Sequence, residues 1–260
     1  MVGKILLNMY STNVTDSQWE VISSFFNVQR KRKYSLRAIV NGIFYLTRSG
    51  VHWRLLPKDL PPYGIVHYYF RKWIKTGLWE LINQALVRKE RVSNKREPSP
   101  SVGIVDSQSI KNRERGLLDK GFDGNKKING RKRHIVVDTL GLVLAVFVGA
   151  ANAHDSKPAQ TLLRKLSMIG WERLQTIIGD GAYEHLGDWL KENLLWDLLV
   201  FKRSDTGKSE FQVLPQRWKV ERTISWLMWY RRLSLDYEAY PETSETFVLL
   251  ANIHRILKKF

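Results

Sequence analysis

Two apolar runs far apart in the chain close on the same residue type: Ser101-Val102-Gly103-Ile104-Val105 on Asp106, and Gln175-Thr176-Ile177-Ile178-Gly179 on Asp180. Short runs rich in Val and Ile, the first preceded by the Pro98-Ser99-Pro100 punctuation, suit strands covered on both faces. An ionised carboxylate is costly to desolvate unless a cation or donors meet it, so one strand-end Asp is either a turn cap or a metal ligand. For a single Asp the cap is the commoner explanation. Recurrence changes the odds, and Gly181 after the second Asp permits close backbone approach. If the two strands lie side by side in parallel, both carboxylates emerge together.

A chain of 260 residues with 43% hydrophobic and 12% aromatic residues has enough apolar surface for one sizeable core and a smaller attached domain. The formal net charge is +17, which makes a polyanion the most economical partner. Membrane spanning is not expected, because the longest apolar run, Leu140 to Ala151, falls short of the roughly 18 to 20 residues required. Met1 to Tyr10 has too short an apolar core for a signal peptide. Zero cysteines exclude disulfides and a thiolate zinc site, and fit a reducing cytoplasm. Residues 1–97 hold 17 Lys or Arg against 6 Asp or Glu, while residues 98–260 hold 25 against 19. The shorter part is therefore the more basic, and a boundary at 97/98 divides a helical domain from an α/β domain.

In the first part, Thr15 caps a helix to Phe26, Ser35 caps one from Leu36 to Arg48 that Gly50 stops, and further helices run over Tyr63–Lys75 and about Leu78–Lys95. Short helices, tight turns and clustered basic residues describe a helix-turn-helix-like module. Its third helix, carrying Arg71, Lys72 and Lys75 beside Tyr68, Tyr69, Phe70 and Trp73, would lie against DNA. A solvated basic face on a helical cap is the plainer alternative. In the second part, Ser107 to Arg133 is polar, glycine-rich and basic, the look of a loop that either tracks a phosphate backbone or is plain surface. His134–Asp138 and Leu142–Val148 read as a hairpin with Asp138 as its turn residue. A helix over Lys157–Ile169, the Asp180 strand, a helix over Glu184–Glu192, a strand over Trp196–Lys202 and a helix over about Gln216–Arg231 follow.

The last of these helices carries Glu221 beside its buried stripe of Val220, Ile224 and Leu227. Three carboxylates brought together cannot all stay ionised unaided. A divalent ion resolves the repulsion, and Mg²⁺, with Mn²⁺ as a substitute, suits an all-oxygen site. Two such ions about 3.5–4 Å apart serve the attacking and leaving oxygens of a phosphodiester. Other chemistries are weaker: His154-Asp155 and His185 lack cysteines or an HExxH helix, and Ser107 and Ser109 lack a GxSxG-type setting. Trp226 and Trp229 near Glu221 read as packing before base stacking.

The stretches Val105-Asp106-Ser107-Gln108-Ser109, Gly130-Arg131-Lys132-Arg133-His134, Asp138-Thr139-Leu140-Gly141, Gly179-Asp180-Gly181-Ala182-Tyr183 and Trp218-Lys219-Val220-Glu221-Arg222-Thr223 with Trp226-Leu227 resemble the IS5 family of bacterial insertion-sequence transposases. So do Leu56-Pro57-Lys58-Asp59 and Pro241-Glu242-Thr243-Ser244-Glu245. The resemblance runs through nearly the whole chain in order. It implies a ribonuclease H-like five-stranded mixed sheet flanked by helices over 98–260, following the helical domain of 1–97, and maps the catalytic, metal-holding acids onto Asp106, Asp180 and Glu221. Also implied are Mg²⁺ dependence, cutting at terminal inverted repeats, joining of 3′-hydroxyl ends to target DNA, a homodimer or larger assembly on DNA, and a bacterial cytoplasm. A related nuclease that cuts without joining and a non-catalytic DNA-binding derivative stand as alternatives. Of a Tyr, Arg, Glu, Lys signature in the wider group, Arg217 and Glu221 keep the spacing, while the Tyr and Lys positions fall on Leu214 and Met228. Arg222, Arg231 or Arg232 would then take the lysine's phosphate-binding part, and Arg131, Lys132, Arg133 and Arg217 join the basic set expected to face DNA.

Overall fold

The computed structural model describes residues 10–113, 118–153, 156–201 and 216–260. His154-Asp155, Leu214 and the loop from Arg203 to Glu210 lie outside them, as does Lys202, the expected end of the last strand. In chain order the helices are α1 (Asp16–Ser23), α2 (Leu36–Ser49), α3 (Tyr63–Lys75), α4 (Leu78–Ser93), α5 (Ser156–Met168), α6 (Gly187–Leu194), α7 (Trp218–Met228) and α8 (Pro241–Leu257). The strands are β1 (Val102–Lys111), β2 (Gly121–Asp123), β3 (Ile128–Val137), β4 (Val143–Ala150), β5 (Thr176–Asp180) and β6 (Asp197–Phe201). The chain divides into two compact units, one of Met1–Leu86, Leu227–Ser234 and Thr246–Phe260, the other of Val87–Trp226 and Leu235–Glu245.

The first unit is helical. Thr15 and Gln18 form a reciprocal capping box at α1, the Ser35 side chain accepts from the Ala38 amide at α2, and Gly50 ends α2 at φ 70°, a conformation that favours glycine. On α2, Ile39, Val40, Ile43, Phe44 and Leu46 are buried at helical spacing. An aromatic cluster fills the space between helices: Trp73 meets Phe26 and Trp79 edge-on at 4.9 and 5.4 Å, and Phe247 stacks on Phe70 at 5.1 Å. Inside the unit Asn252 donates to the buried Asn83 at 2.7 Å.

The second unit is a mixed sheet in the order β2-β3-β1-β5-β6, with β4 pairing on β3. Antiparallel pairing joins β1 to β3 and β3 to β4, and parallel pairing joins β1 to β5 and β5 to β6. The parallel connections pass through helices, of which α5 buries Ala159, Leu162, Leu163 and Leu166. Beyond the five expected strands stands the three-residue β2, paired on β3 at Gly121 to Gly130.

The stretch expected to be a loop, Ser107 to Arg133, is largely sheet: β1 runs on to Lys111, and β3 begins at Ile128. Its basic residues are the reason to expect solvent there, yet Arg131 has no exposed surface. Its guanidinium donates to the carbonyls of Glu238 at 2.7 Å and Ala239 at 2.9 Å and to that of Leu118 at 3.0 Å, and pairs with Asp236 at 3.3 Å. Asp236 in turn accepts from Ser244 and the Glu238 amide, so the charge is fully partnered inside. Glu245 beside it holds Lys165 at 2.7 Å and the Val148 amide at 3.0 Å.

Candidate active site

Strands β1 and β5 run parallel with Gly103 opposite Ile177 and Ile104 opposite Ile178, and this register carries Asp106 and Asp180 to the same end of the sheet. The strand is closely packed just before the site: a Cβ on Gly179 would press at 3.1–3.2 Å on Tyr183 and on Val105. Asp180 also acts as a cap, its Oδ1 accepting from the Ala182 amide at 3.1 Å at the start of a 3₁₀ turn. Cap and site residue are one and the same here.

Glu221 comes from α7, and the position of that helix is fixed by the β3–β4 turn. Asp138, fully buried, accepts from the Leu140 and Leu142 amides at 2.9 and 2.8 Å and receives the Arg91 guanidinium. Those bonds shape the turn so that Gly141 takes φ +80° and its carbonyl receives the Thr223 hydroxyl at 2.9 Å. A Cβ on Gly141 would stand 2.6 Å from the Thr223 Oγ1, so only glycine lets α7 come this close. Thr223 and Gly141 escaped the sequence reading as site-building residues. Their signal was present as two separate motifs whose contact a linear chain does not display.

The three acids meet at one side chain. Arg217, just ahead of α7, places Nη1 4.0 Å from Asp106 Oδ2 and 3.7 Å from Asp180 Oδ2, and Nη2 2.5 Å from Glu221 Oε1. Burial pushes the Asp106 carboxyl up to about 6; the Ser107 amide and Arg217 pull it back, and Asp180 and Glu221 push it further up. Among the described residues no set of three His, Cys, Asp or Glu side chains forms a metal-holding group as placed. The donor chemistry nevertheless fits a hard divalent cation: three carboxylates, acceptor-only when ionised, converge on a single guanidinium.

The remaining basic candidates separate by burial. Lys72 and Lys75 on α3 are exposed and Arg71 is half-buried, while Val66, Phe70 and Trp73 face inward. Arg231 is exposed. Arg222 is held between the Trp218 and Trp226 rings at 4.4 Å from each. Four candidates are buried, unlike the exposed Lys72 and Lys75: Arg131 and Arg133 in the sheet unit, Lys132 on β3 near Asp123, and Arg232 against Phe247 with a bond to the Val51 carbonyl. Buried in this way, they present little surface to solvent. His185 falls within the 3₁₀ turn Gly181–Leu186 that follows β5.

A family model described as "Transposase DDE domain" matches residues 97–254, and one described as "Putative transposase of IS4/5 family" matches residues 14–83. A curated relative from Burkholderia cepacia, "Putative transposase for insertion sequence element IS402", is 27% identical over 129 residues, 46% of this chain and 60% of that protein. The match thus spans less than two thirds of the relative's length. The crystal structure of the Mos1 Strand Transfer Complex aligns over 99% of this chain and 90% of that one at 11% identity and a TM-score of 0.29, a likeness too loose to argue from.

Proposed function

This chain belongs to the transposase DDE domain family, and from that premise we propose that it is a DNA transposase, cutting at the terminal inverted repeats of a mobile element and joining the freed ends to target DNA. The observation that carries the reading is the convergence of Asp106, Asp180 and Glu221, from two strands and a helix, on one guanidinium. Nothing about packing calls for three carboxylates at that point, and their mutual repulsion is a cost the fold offsets with a cation.

In the first step, water attacks the phosphodiester at the element's end, the P–O3′ bond breaks, and a 3′-hydroxyl and a 5′-phosphate are left. In the second, that 3′-hydroxyl attacks a target phosphodiester, forming a new P–O3′ bond while a target 3′-oxygen departs. Divalent ions, Mg²⁺ or in its place Mn²⁺, would polarise the phosphodiester and favour deprotonation of the attacking oxygen. Asp106, Asp180 and Glu221 would hold them. Asp106 sits within β1, Asp180 at the end of the neighbouring β5, and Glu221 on a helix pinned by Thr223, so the group is carried by rigid elements rather than loops. Lys72 and Lys75, with Arg71, offer α3 as a face for duplex phosphates, and the exposed Arg231 adds to it. Arg222, held between Trp218 and Trp226, would steady the helix of Glu221 and the bound strand. Paired ends imply a homodimer or larger assembly on DNA.

The test is an incubation of the full chain with end-bearing DNA, a target plasmid and Mg²⁺. Covalent joining of ends to plasmid is expected, and Asp106→Asn should lower cleavage by about 10²–10³-fold or more while DNA binding persists. Cleavage by Asp106→Asn at the wild-type rate would remove that acid from the chemistry. Cleavage by the wild type with no joined product would make the protein a nuclease instead.

A further inference from the structure

We infer that Arg217 is a resident counter-ion of the acid cluster, one that a divalent cation must displace, so that guanidinium and metal occupy the carboxylates by turns. The inference rests on reading Asp106, Asp180 and Glu221 as the metal-holding set. One guanidinium reaches all three: Nη1 is shared between Asp106 at 4.0 Å and Asp180 at 3.7 Å, while Nη2 takes Glu221 at 2.5 Å. The oxygens it engages are the ones a metal would need. A second cation of charge +2 placed among them would be repelled by the first at short range, and salt screens this poorly because the Arg217 and Asp106 side chains are only 15% and 18% exposed. The two cations therefore compete.

The backbone gives Arg217 room to leave. It precedes α7 instead of lying within it, after Gln216 at φ 73°, so the side chain swings without unwinding the helix. Glu221 stays where it is, because its helix is tied at Thr223 to the Gly141 carbonyl and not through Arg217. In this arrangement Arg217 is a positioning residue. It offsets the repulsion among three acids that the strands and the anchored helix already bring together, and it sets how readily metal enters.

The experiment measures Mn²⁺ affinity of the full chain, free of DNA, by titration calorimetry and by the Mn²⁺ paramagnetic resonance signal. Arg217→Gln is expected to bind Mn²⁺ on the order of tenfold tighter than the wild type, with Arg217→Lys between them. In the wild type, saturating Mg²⁺ is expected to move the Arg217 Nε–Hε nuclear resonance, identified by its absence in Arg217→Lys. Equal or weaker Mn²⁺ binding by a folded Arg217→Gln, or an Arg217 resonance that stays put at saturation, would overturn the counter-ion role. If Arg217→Gln fails to fold by circular dichroism, the wild-type resonance decides alone. Failure of the underlying reading looks different: Asp106→Asn added to Arg217→Gln would leave Mn²⁺ affinity unchanged, which places the metal elsewhere and overturns both.

Discussion

His254 shows what burial in this fold does to an ionisable side chain. Buried in the helical unit with its Nδ1 at 3.0 Å from the Tyr230 hydroxyl, it has its pKa pulled down to about 3, chiefly by burial, with Lys258 and Arg48 adding to the fall and the Thr12 backbone opposing it. A depressed histidine holds fewer protons folded than unfolded. Its stabilising effect is whole above the unfolded value near 6.5 and is lost as pH falls from there toward 3. Urea unfolding across that window should show stability dropping by about 1.4 kcal/mol per pH unit at most from this group, and His254→Gln should flatten the slope while lowering stability at pH 8. A slope unchanged in the variant would assign the acid sensitivity elsewhere. Arg131 makes the complementary case of a charge buried with partners. Arg131→Met strips Asp236 of its guanidinium, and the expected loss is roughly 3–5 kcal/mol, read by chemical denaturation; a loss under about 1 kcal/mol would mean that the pair is not buried in solution.

At the level of the element, α7 matters more than any other helix, because it is the one that brings the third acid to the sheet. Its docking depends on the Thr223 hydroxyl, which donates to the Gly141 carbonyl and lies 2.9 Å from the Lys219 carbonyl of its own helix as well. Thr223→Val keeps the volume and removes the donor, so a loss of about 1–2 kcal/mol is expected, with strand cleavage falling further than the stability change explains. Thr223→Ser restores the hydroxyl and should recover most of both. Gly141→Ala attacks the same contact from the turn, where φ +80° disfavours any side chain and the added Cβ meets Thr223. If cleavage survives both changes, Glu221 does not depend on this anchor.

For the whole molecule, the excess of 42 Lys and Arg over 25 Asp and Glu predicts binding to DNA that weakens steeply with salt. Replacing Lys72 and Lys75 by Met should reduce the slope of log affinity against log salt by roughly 0.9 for each phosphate no longer neutralised, without changing the melting temperature. Arg133→Met should instead act on stability. Among the described residues no helix is long and apolar enough to cross a membrane. How far such properties were legible differs by their range along the chain. The helix over Tyr63–Lys75, the strand ending at Asp180, and the turn at Asp138 follow from spacing, caps and glycines, because those depend on neighbours a few residues away, whereas the first strand does not end at Asp106 but runs on to Lys111 through its long-range pairing with β3. Charge and the absence of cysteine likewise need no fold. What only the tertiary structure decided is which charges are inside: Arg131 and Arg232 carry the same kind of charge as Lys72 and Arg231, and only the packing of distant segments tells a buried, fully bonded guanidinium from one that faces solvent. The same holds for the return of Leu227–Ser234 and Thr246–Phe260 to the helical unit and for the shared guanidinium of Arg217. Each is a contact across a hundred residues or a choice of partner, and a linear pattern holds neither.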